Sequence, residues 1–98
     1  MTLPAAHSHG PDLSVIVPVY NAEKHLAQLT EQVFALEKDG LRCQMICVDD
    51  GSSDGSLTVL QDLAKRFSAL QIIEQTGNQG AGIARNVAWE QATGRYTI

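Results

Sequence analysis

The feature that most constrains this chain is an alternation between two hydrophobic periods. Short, nearly continuous apolar runs are each followed by a stretch whose apolar residues recur every three or four positions. A strand turns successive side chains to opposite faces, whereas a helix gathers i, i+3 and i+4 into one stripe, so the two periods specify different elements. Leu13–Val19 (LSVIVPV) is rich in β-branched residues and predicts a strand buried on both faces. Pro18 falls near its end, where a missing N–H does little harm. From 22 to about 36 the period changes, with Leu26, Leu29, Val33 and Leu36 on one helical stripe, Asn21 placed as N-cap and Gly40 placed to close the helix. Residues 44–48 (QMICV) form a second short apolar run. A second helical stripe to about Phe67 carries Leu57, Leu60, Leu63, Ala64 and Phe67, and Leu70–Glu74 predicts a third strand. A third helix over 83–92, with Ile83, Val87 and Ala88 inward, leads past Gly94 into a fourth strand beginning at Tyr96.

The order β-α-β-α-β-α-β implies an α/β, Rossmann-like fold: a parallel sheet with right-handed crossovers and helices on both faces. The domain is expected over 13–98, with 1–12 as a mobile leader. The chain stops inside a strand, where a domain seldom ends, so the expectation is a piece of a longer domain. No internal repeat or low-complexity tract interrupts the pattern.

Composition narrows the classes. A formal net charge of −4 with only 7 Lys and Arg argues against nucleic-acid binding, because few phosphates can be covered. No apolar run approaches the ~20 residues of a membrane-spanning helix, and the first dozen residues lack the basic and apolar regions of a signal peptide. His7 and His9 have no third metal ligand nearby. On one strand Cys43 and Cys47 stand too far apart for a disulfide at ~3.3 Å per residue, and are expected to be small buried thiols of a reduced protein.

The links between elements are of two kinds. The helix-to-strand links are ordinary surface turns, while the strand-to-helix links at 18–21, 49–55 and 76–85 hold the unusual residues. In an open α/β sheet those three links emerge together at the carboxyl ends of the strands, where ligands bind. Asp49 and Asp50 leave a buried strand on opposite sides, so one carboxylate can face a ligand while backbone N–H groups hold the other. Asp54 or Ser53 is suited to cap the second helix. Asp50, Ser52, Asp54, Gly55 and Gln61 also match positions one, three, five, six and twelve of a calcium loop. The strand before that loop and the Gln at its last position weigh against calcium. The third link (TGNQGAG) is a glycine-rich turn feeding a helix N-terminus, a ready anion site. Its G-x-x-G-x-G spacing after the third strand differs from the dinucleotide fingerprint, which follows the first. Arg85 either reaches the rim to pair with phosphate or ribose, or pairs with Glu90 or Asp50 as scaffold.

SVIVPVYNAEKHL at 14–26, ICVDDGSSDGS at 46–56 and GNQGAGIARNVAWEQATGRY at 77–96 resemble the inverting glycosyltransferases of family 2, whose members have the GT-A fold. The resemblance implies that Pro18, Tyr20, Asn21 and Asp50 line the base of a nucleotide-diphosphate sugar, a UDP-sugar above all. It implies that Asp49 supports that pocket, and that Gly77, Gly80 and Arg85 border the ribose and diphosphate. It implies an acceptor that is a saccharide or lipid-linked, in surface polysaccharide or lipopolysaccharide synthesis, with the enzyme cytoplasmic or peripheral at the inner membrane. The family's Asp-x-Asp motif for a divalent cation (Mn or Mg) would follow Ile98, and the catalytic base later still. No catalytic residue, metal or cofactor is therefore expected within this chain, which alone would transfer no sugar. Self-association through the unfinished sheet edge is expected. The other readings are a non-catalytic nucleotide-binding or interaction module and a sugar nucleotidyltransferase, whose phosphate loop would follow the first strand.

Overall fold

A computed structural model describes residues 10–75 and 79–98. The residues before Gly10, with His7 and His9, and Thr76, Gly77 and Asn78 of the third link lie outside the described residues. In chain order the elements are β1 (Leu13–Val19), α1 (Leu26–Ala35) running into a 3-10 turn (Leu36–Asp39), β2 (Cys43–Asp49), α2 (Ser56–Arg66), β3 (Leu70–Glu74), α3 (Ala81–Gln91) and β4 (Tyr96–Thr97). The strands are all parallel in the order β3-β2-β1-β4. The sheet grows from β1 to β3 in one direction, and β4 then pairs on the other side of β1. Right-handed crossovers consequently put α1 and α2 on one face and α3 on the other, with the switch in direction beside β1.

Strand alternation divides the core in two. Val19, Cys43, Met45, Cys47 and Leu70 pack against Leu26, Val33 and Phe34 of α1 and Leu60 and Leu63 of α2. Ile46 and Val48 point the other way, onto Ala84 and Ala88 of α3. Each fully buried Leu, Ile or Met contributes about 1.5–3 kcal/mol relative to exposure. The Phe34 and Phe67 rings stack at 4.8 Å under this layer. α3 lies on its two alanines, whose small size lets the helix approach the sheet. That rotation carries Ile83 out to 48% exposure, so the inward face is Ala84 and Ala88 with Val87 at its margin, not Ile83.

Pro18 is tolerated for a reason visible in the ladder. Even-numbered residues of β1 turn their backbone groups toward β4: Ile16 N–H donates to Ile98 O, and Ser14 O accepts from Ile98 N–H. Pro18 continues that alternation beyond the short β4 ladder, so its absent N–H breaks no described pair.

At the amino ends of the strands the structure is stitched by side chains. Ser14, fully buried, donates through Oγ to Gln44 Oε1 at 2.6 Å and accepts from Gly94 N–H at 2.8 Å. Gln44 Nε2 in turn donates to Gln91 O, which ties the end of α3 to β2. Asp12 is 6% exposed and accepts from Arg42 N–H at 2.9 Å, while its own carbonyl accepts from Tyr96 N–H. The expected leader boundary after residue 12 thus falls within an anchored stretch, because Pro11 O also accepts from Arg95 N–H.

Candidate functional site

The carboxyl ends of β1 and β2 bear the groups that the sequence singles out. α1 begins at Leu26 rather than Ala22, and Asn21 does not cap it. The side chain that would cap it is committed elsewhere, and the N–H groups that follow, which a helix's first turn leaves without an internal partner, are taken up by the second link: Ala22 N–H donates to Ser56 Oγ at 2.8 Å and Glu23 N–H to Asp54 Oδ2 at 3.3 Å. Asn21 sits at φ 49, in the left-handed region that Asn tolerates better than most residues. Its Oδ1 accepts from Ser53 N–H at 2.8 Å and Asp54 N–H at 3.3 Å, and its N–H donates to Ser52 Oγ at 2.9 Å. The first two links are thereby one hydrogen-bonded unit. The N-cap of α2 is Gly55 rather than Asp54 or Ser53; Asp54, one residue earlier, still serves the helix start by accepting from Ser56 N–H at 2.9 Å, and its bond with the Ser56 hydroxyl leads the effects that lower its pKa.

The two adjacent acids part company. Asp49 is 4% exposed; its Oδ2 accepts weakly from Ser52 N–H at 3.3 Å, and its Oδ1 is buried without a hydrogen-bond partner among the described residues. Asp50, equally buried, turns to the α3 side. Its Oδ1 accepts from Gln79 N–H at 2.8 Å and Gln75 Nε2 at 2.9 Å, and its Oδ2 accepts from Gly80 N–H at 2.7 Å. These bonds, that from the Gln79 backbone foremost, hold the Asp50 carboxyl below the usual carboxylate range against the opposing effect of burial. Gly80 itself has φ 95, a conformation that suits glycine.

A cavity of about 210 Å³ opens here, lined by Pro18, Val19, Tyr20, Asp50 and Ala81. Tyr20 is half exposed at its wall. With three donors among the described residues on four lone-pair positions, Asp50 keeps acceptor capacity, and it is one of the residues that line the cavity. Tyr20, Asp50 and the Gly80 turn, far apart in the chain, therefore meet at one rim. Arg85 is exposed on α3, outside the cavity lining, and forms no ion pair with Glu90 or Asp50 among the described residues. Gly77 lies outside the described residues.

Two contributors escape a reading of the sequence. Gln75 follows β3 directly and donates to Asp50; it falls in the one-residue gap between the predicted strand and the link at 76–85, and only its nearness to that link could have signalled it. Ala81 lines the cavity through its place at the start of α3, and no property of alanine announces that. A larger cavity, about 330 Å³, lies at the opposite end among Pro11, Arg42, Cys43, Gln44 and Thr93. Glu37 lines it too, while Gln44 and Thr93 are engaged in the stitch and Arg42 pairs with Asp12. Among the described residues no three His, Cys, Asp or Glu side chains converge as a metal site.

The family model for "Glycosyl transferase family 2" matches residues 14–98, and the chain belongs to that family. It is 38% identical over 86 residues to TuaG of Bacillus subtilis strain 168, a glycosyltransferase named for teichuronic acid biosynthesis, covering 88% of this chain and 33% of TuaG. It is 33% identical over 87 residues to the poly(ribitol-phosphate) beta-glucosyltransferase of Bacillus spizizenii, covering 88% of this chain and 14% of that protein. Among solved structures, TarS 1–349 of S. aureus in complex with UDP superposes with a TM-score of 0.71 at 33% identity, over 89% of this chain and 26% of that 1–349 chain. The mannosyltransferase PcManGT of Pyrobaculum calidifontis, in complex with GDP-Man and Mn2+, gives 0.66 at 30% identity, over 88% and 26%. The fold is accordingly the N-terminal, Rossmann-like part of a GT-A glycosyltransferase, and the chain spans a third or less of the length of these relatives. Among the described residues no helix is long and apolar enough to cross a membrane.

Proposed function

We propose that this chain is the donor-nucleotide-binding part of a glycosyltransferase that moves a sugar from a nucleotide-diphosphate sugar to an acceptor hydroxyl in surface polysaccharide or lipopolysaccharide synthesis. The observation that carries the reading is the cavity lined by Pro18, Tyr20, Asp50 and Ala81 at the carboxyl ends of the strands. The remaining lone pair of Asp50 accepts a ring N–H of the base, and Tyr20 packs its ring against the base or ribose. Asp49 supports the pocket from the other face of the sheet. The Gly80 turn and the N-terminus of α3 face the diphosphate, where backbone N–H groups and the helix dipole favour an anion. Arg85, unpaired with Glu90 or Asp50, is free to meet a phosphate or ribose oxygen.

Uracil and guanine both carry a ring N–H that Asp50 can accept. The relatives TarS and PcManGT were captured with UDP and with GDP-Man respectively. We assign a UDP-sugar to this chain. A divalent cation (Mn or Mg), held by residues outside this chain, would neutralise the leaving diphosphate in the whole enzyme; the residues described here bind and orient the nucleotide. The acceptor is a saccharide or lipid-linked, and the reaction is placed on the cytoplasmic side, with the enzyme peripheral at the inner membrane. The 98-residue chain alone transfers no sugar in this reading.

Calorimetric titration of the chain with UDP, GDP, TDP, ADP and CDP tests it. Binding by UDP and at most weak binding by ADP and CDP, whose corresponding ring nitrogens carry no hydrogen, is the expected result. Tyr20→Ala should weaken UDP binding by about tenfold, as loss of an aromatic contact does. Failure of every diphosphate to bind at millimolar concentration would overturn the assignment.

A further inference from the structure

The hydrogen bonds of the first two links assign Asn21 a task other than contact with the nucleotide. Its Oδ1 is directed at the second link, where it takes the N–H groups of Ser53 and Asp54 and the hydroxyl of Ser53. Its own N–H is held by Ser52 Oγ, and the next two N–H groups are held by Ser56 and Asp54. The contacts are reciprocal, since Glu23 Oε2 accepts from Gly55 N–H at 3.1 Å. Immediately before Asn21 stands Tyr20, at the cavity wall; Asp49 and Asp50 stand before the bonded stretch 52–54, separated from it by Gly51 alone. The left-handed φ of Asn21 turns the chain out of β1 directly after Tyr20.

We infer that Asn21 is a positioning residue of the nucleotide site: its side-chain oxygen clamps the β1–α1 link to the β2–α2 link and so fixes Tyr20 relative to Asp50. The inference rests on the proposed nucleotide reading and adds to it a residue that acts without touching the base. A base held between Tyr20 and Asp50 needs both at once, so slack between the links costs affinity even when each side chain is intact.

Three substitutions separate the clamp from its backbone. Asn21→Ala removes the oxygen and disfavours the positive φ; Asn21→Gly removes the oxygen and frees the φ; Asn21→Asp keeps an oxygen in place and tolerates the φ. UDP affinity is measured by calorimetry alongside thermal unfolding, with Leu63→Ala as a control that weakens the core far from the links. The expected result is a loss of about tenfold for Asn21→Ala and Asn21→Gly, the scale of one or two net hydrogen bonds, with Asn21→Asp within about threefold of the parent. Leu63→Ala should lower the unfolding temperature yet bind as the parent does below it. Hydrogen exchange at the Ser53 and Asp54 amides should quicken in the Ala and Gly variants and not in Asp. Parent-like affinity in folded Asn21→Gly, or Asn21→Asp as weak as Asn21→Gly, overturns the clamp while leaving the nucleotide assignment intact. Absence of UDP binding by the parent chain overturns both.

Discussion

Asp50 accepts a hydrogen bond from the backbone of Gly80 at 2.7 Å, joining the end of β2 to the turn that opens α3. One carboxylate thus faces the cavity and holds the glycine turn. Asp50→Ala should leave the Gln79 and Gly80 amides uncovered, speeding their hydrogen exchange by about tenfold or more, because each amide loses its acceptor. UDP binding should fall with it. Exchange unchanged at those two amides would show that the turn is ordered by something else.

Acid should loosen the same rim. The Asp50 and Asp54 carboxyls are both held below an ordinary value near 3.8, by the Gln79 backbone bond first for Asp50 and by the Ser56 hydroxyl first for Asp54. A lowered folded-state value means the ionised form binds better in the native protein. Their contribution is therefore full above the ordinary carboxylate range and is lost as pH falls through the lowered values. Urea midpoints measured from pH 6 downward should decline below about pH 4, and the double variant Asp50→Asn, Asp54→Asn should show a flatter decline.

Gly94 is held against β1 so closely that a Cβ would lie 2.5 Å from Ser14 Oγ, 2.6 Å from Ser14 N and 2.8 Å from the Leu13 carbonyl carbon. Two of those atoms are backbone and cannot swing aside. Gly94→Ala should cost about 1–3 kcal/mol and lower the unfolding temperature by roughly 5–20 °C. Gly82, in α3, is the contrast, since a methyl group there would meet nothing within 4 Å. Gly82→Ala should be neutral or stabilising by up to ~1 kcal/mol through helix propensity. Equal effects at the two positions would refute the close-approach account.

The cysteines should be inert. Burial pushes the Cys47 thiol up to about 12. Burial foremost, then the charges of Glu37 and Asp12, raises that of Cys43. Both thiols are thereby disfavoured as thiolates, so an aromatic disulfide reagent at pH 8 should release almost no thiolate from native protein and two equivalents in urea, one for each Cys. Rapid release from the native chain would contradict the packing of β2.

Copies of the chain should associate. β4 is an edge strand; Tyr96 within it and Ile98 just after it are 60% and 70% exposed, with Trp89 of α3 60% exposed. Such an edge with apolar side chains favours pairing. Light scattering at rising concentration should show a mass above one chain, and Ile98→Lys should shift it back. A concentration-independent single-chain mass would remove the proposal.

The alternating periods made the sheet, the placement of helices on both faces and the meeting of the three links legible in advance, because burial on two faces and burial on one stripe leave different spacings. What stayed hidden depended on partners distant in the chain. Asn21 has the chemistry of a helix cap, yet the N–H groups it serves belong to Ser53 and Asp54, and local sequence cannot choose between these uses. Ile83 has the hydrophobicity of a core residue, yet the close approach of α3 through Ala84 and Ala88 decided the helix rotation. The start of α1 at Leu26 rather than Ala22 goes with the same distant contacts, since the expected cap, Asn21, spends its side-chain oxygen on the second link.

The two-residue rhythm of β2 has a consequence for how this rim can vary. The same alternation that sends Cys47 to one hydrophobic layer and Val48 to the other also separates Asp49 from Asp50. Lengthening or shortening the strand by a single residue would exchange the duties of the two acids and invert both layers at the same stroke. Diversity in donor preference can therefore enter by replacing side chains, or by changing the loops beyond the strand ends, while the length of β2 itself is locked to the core.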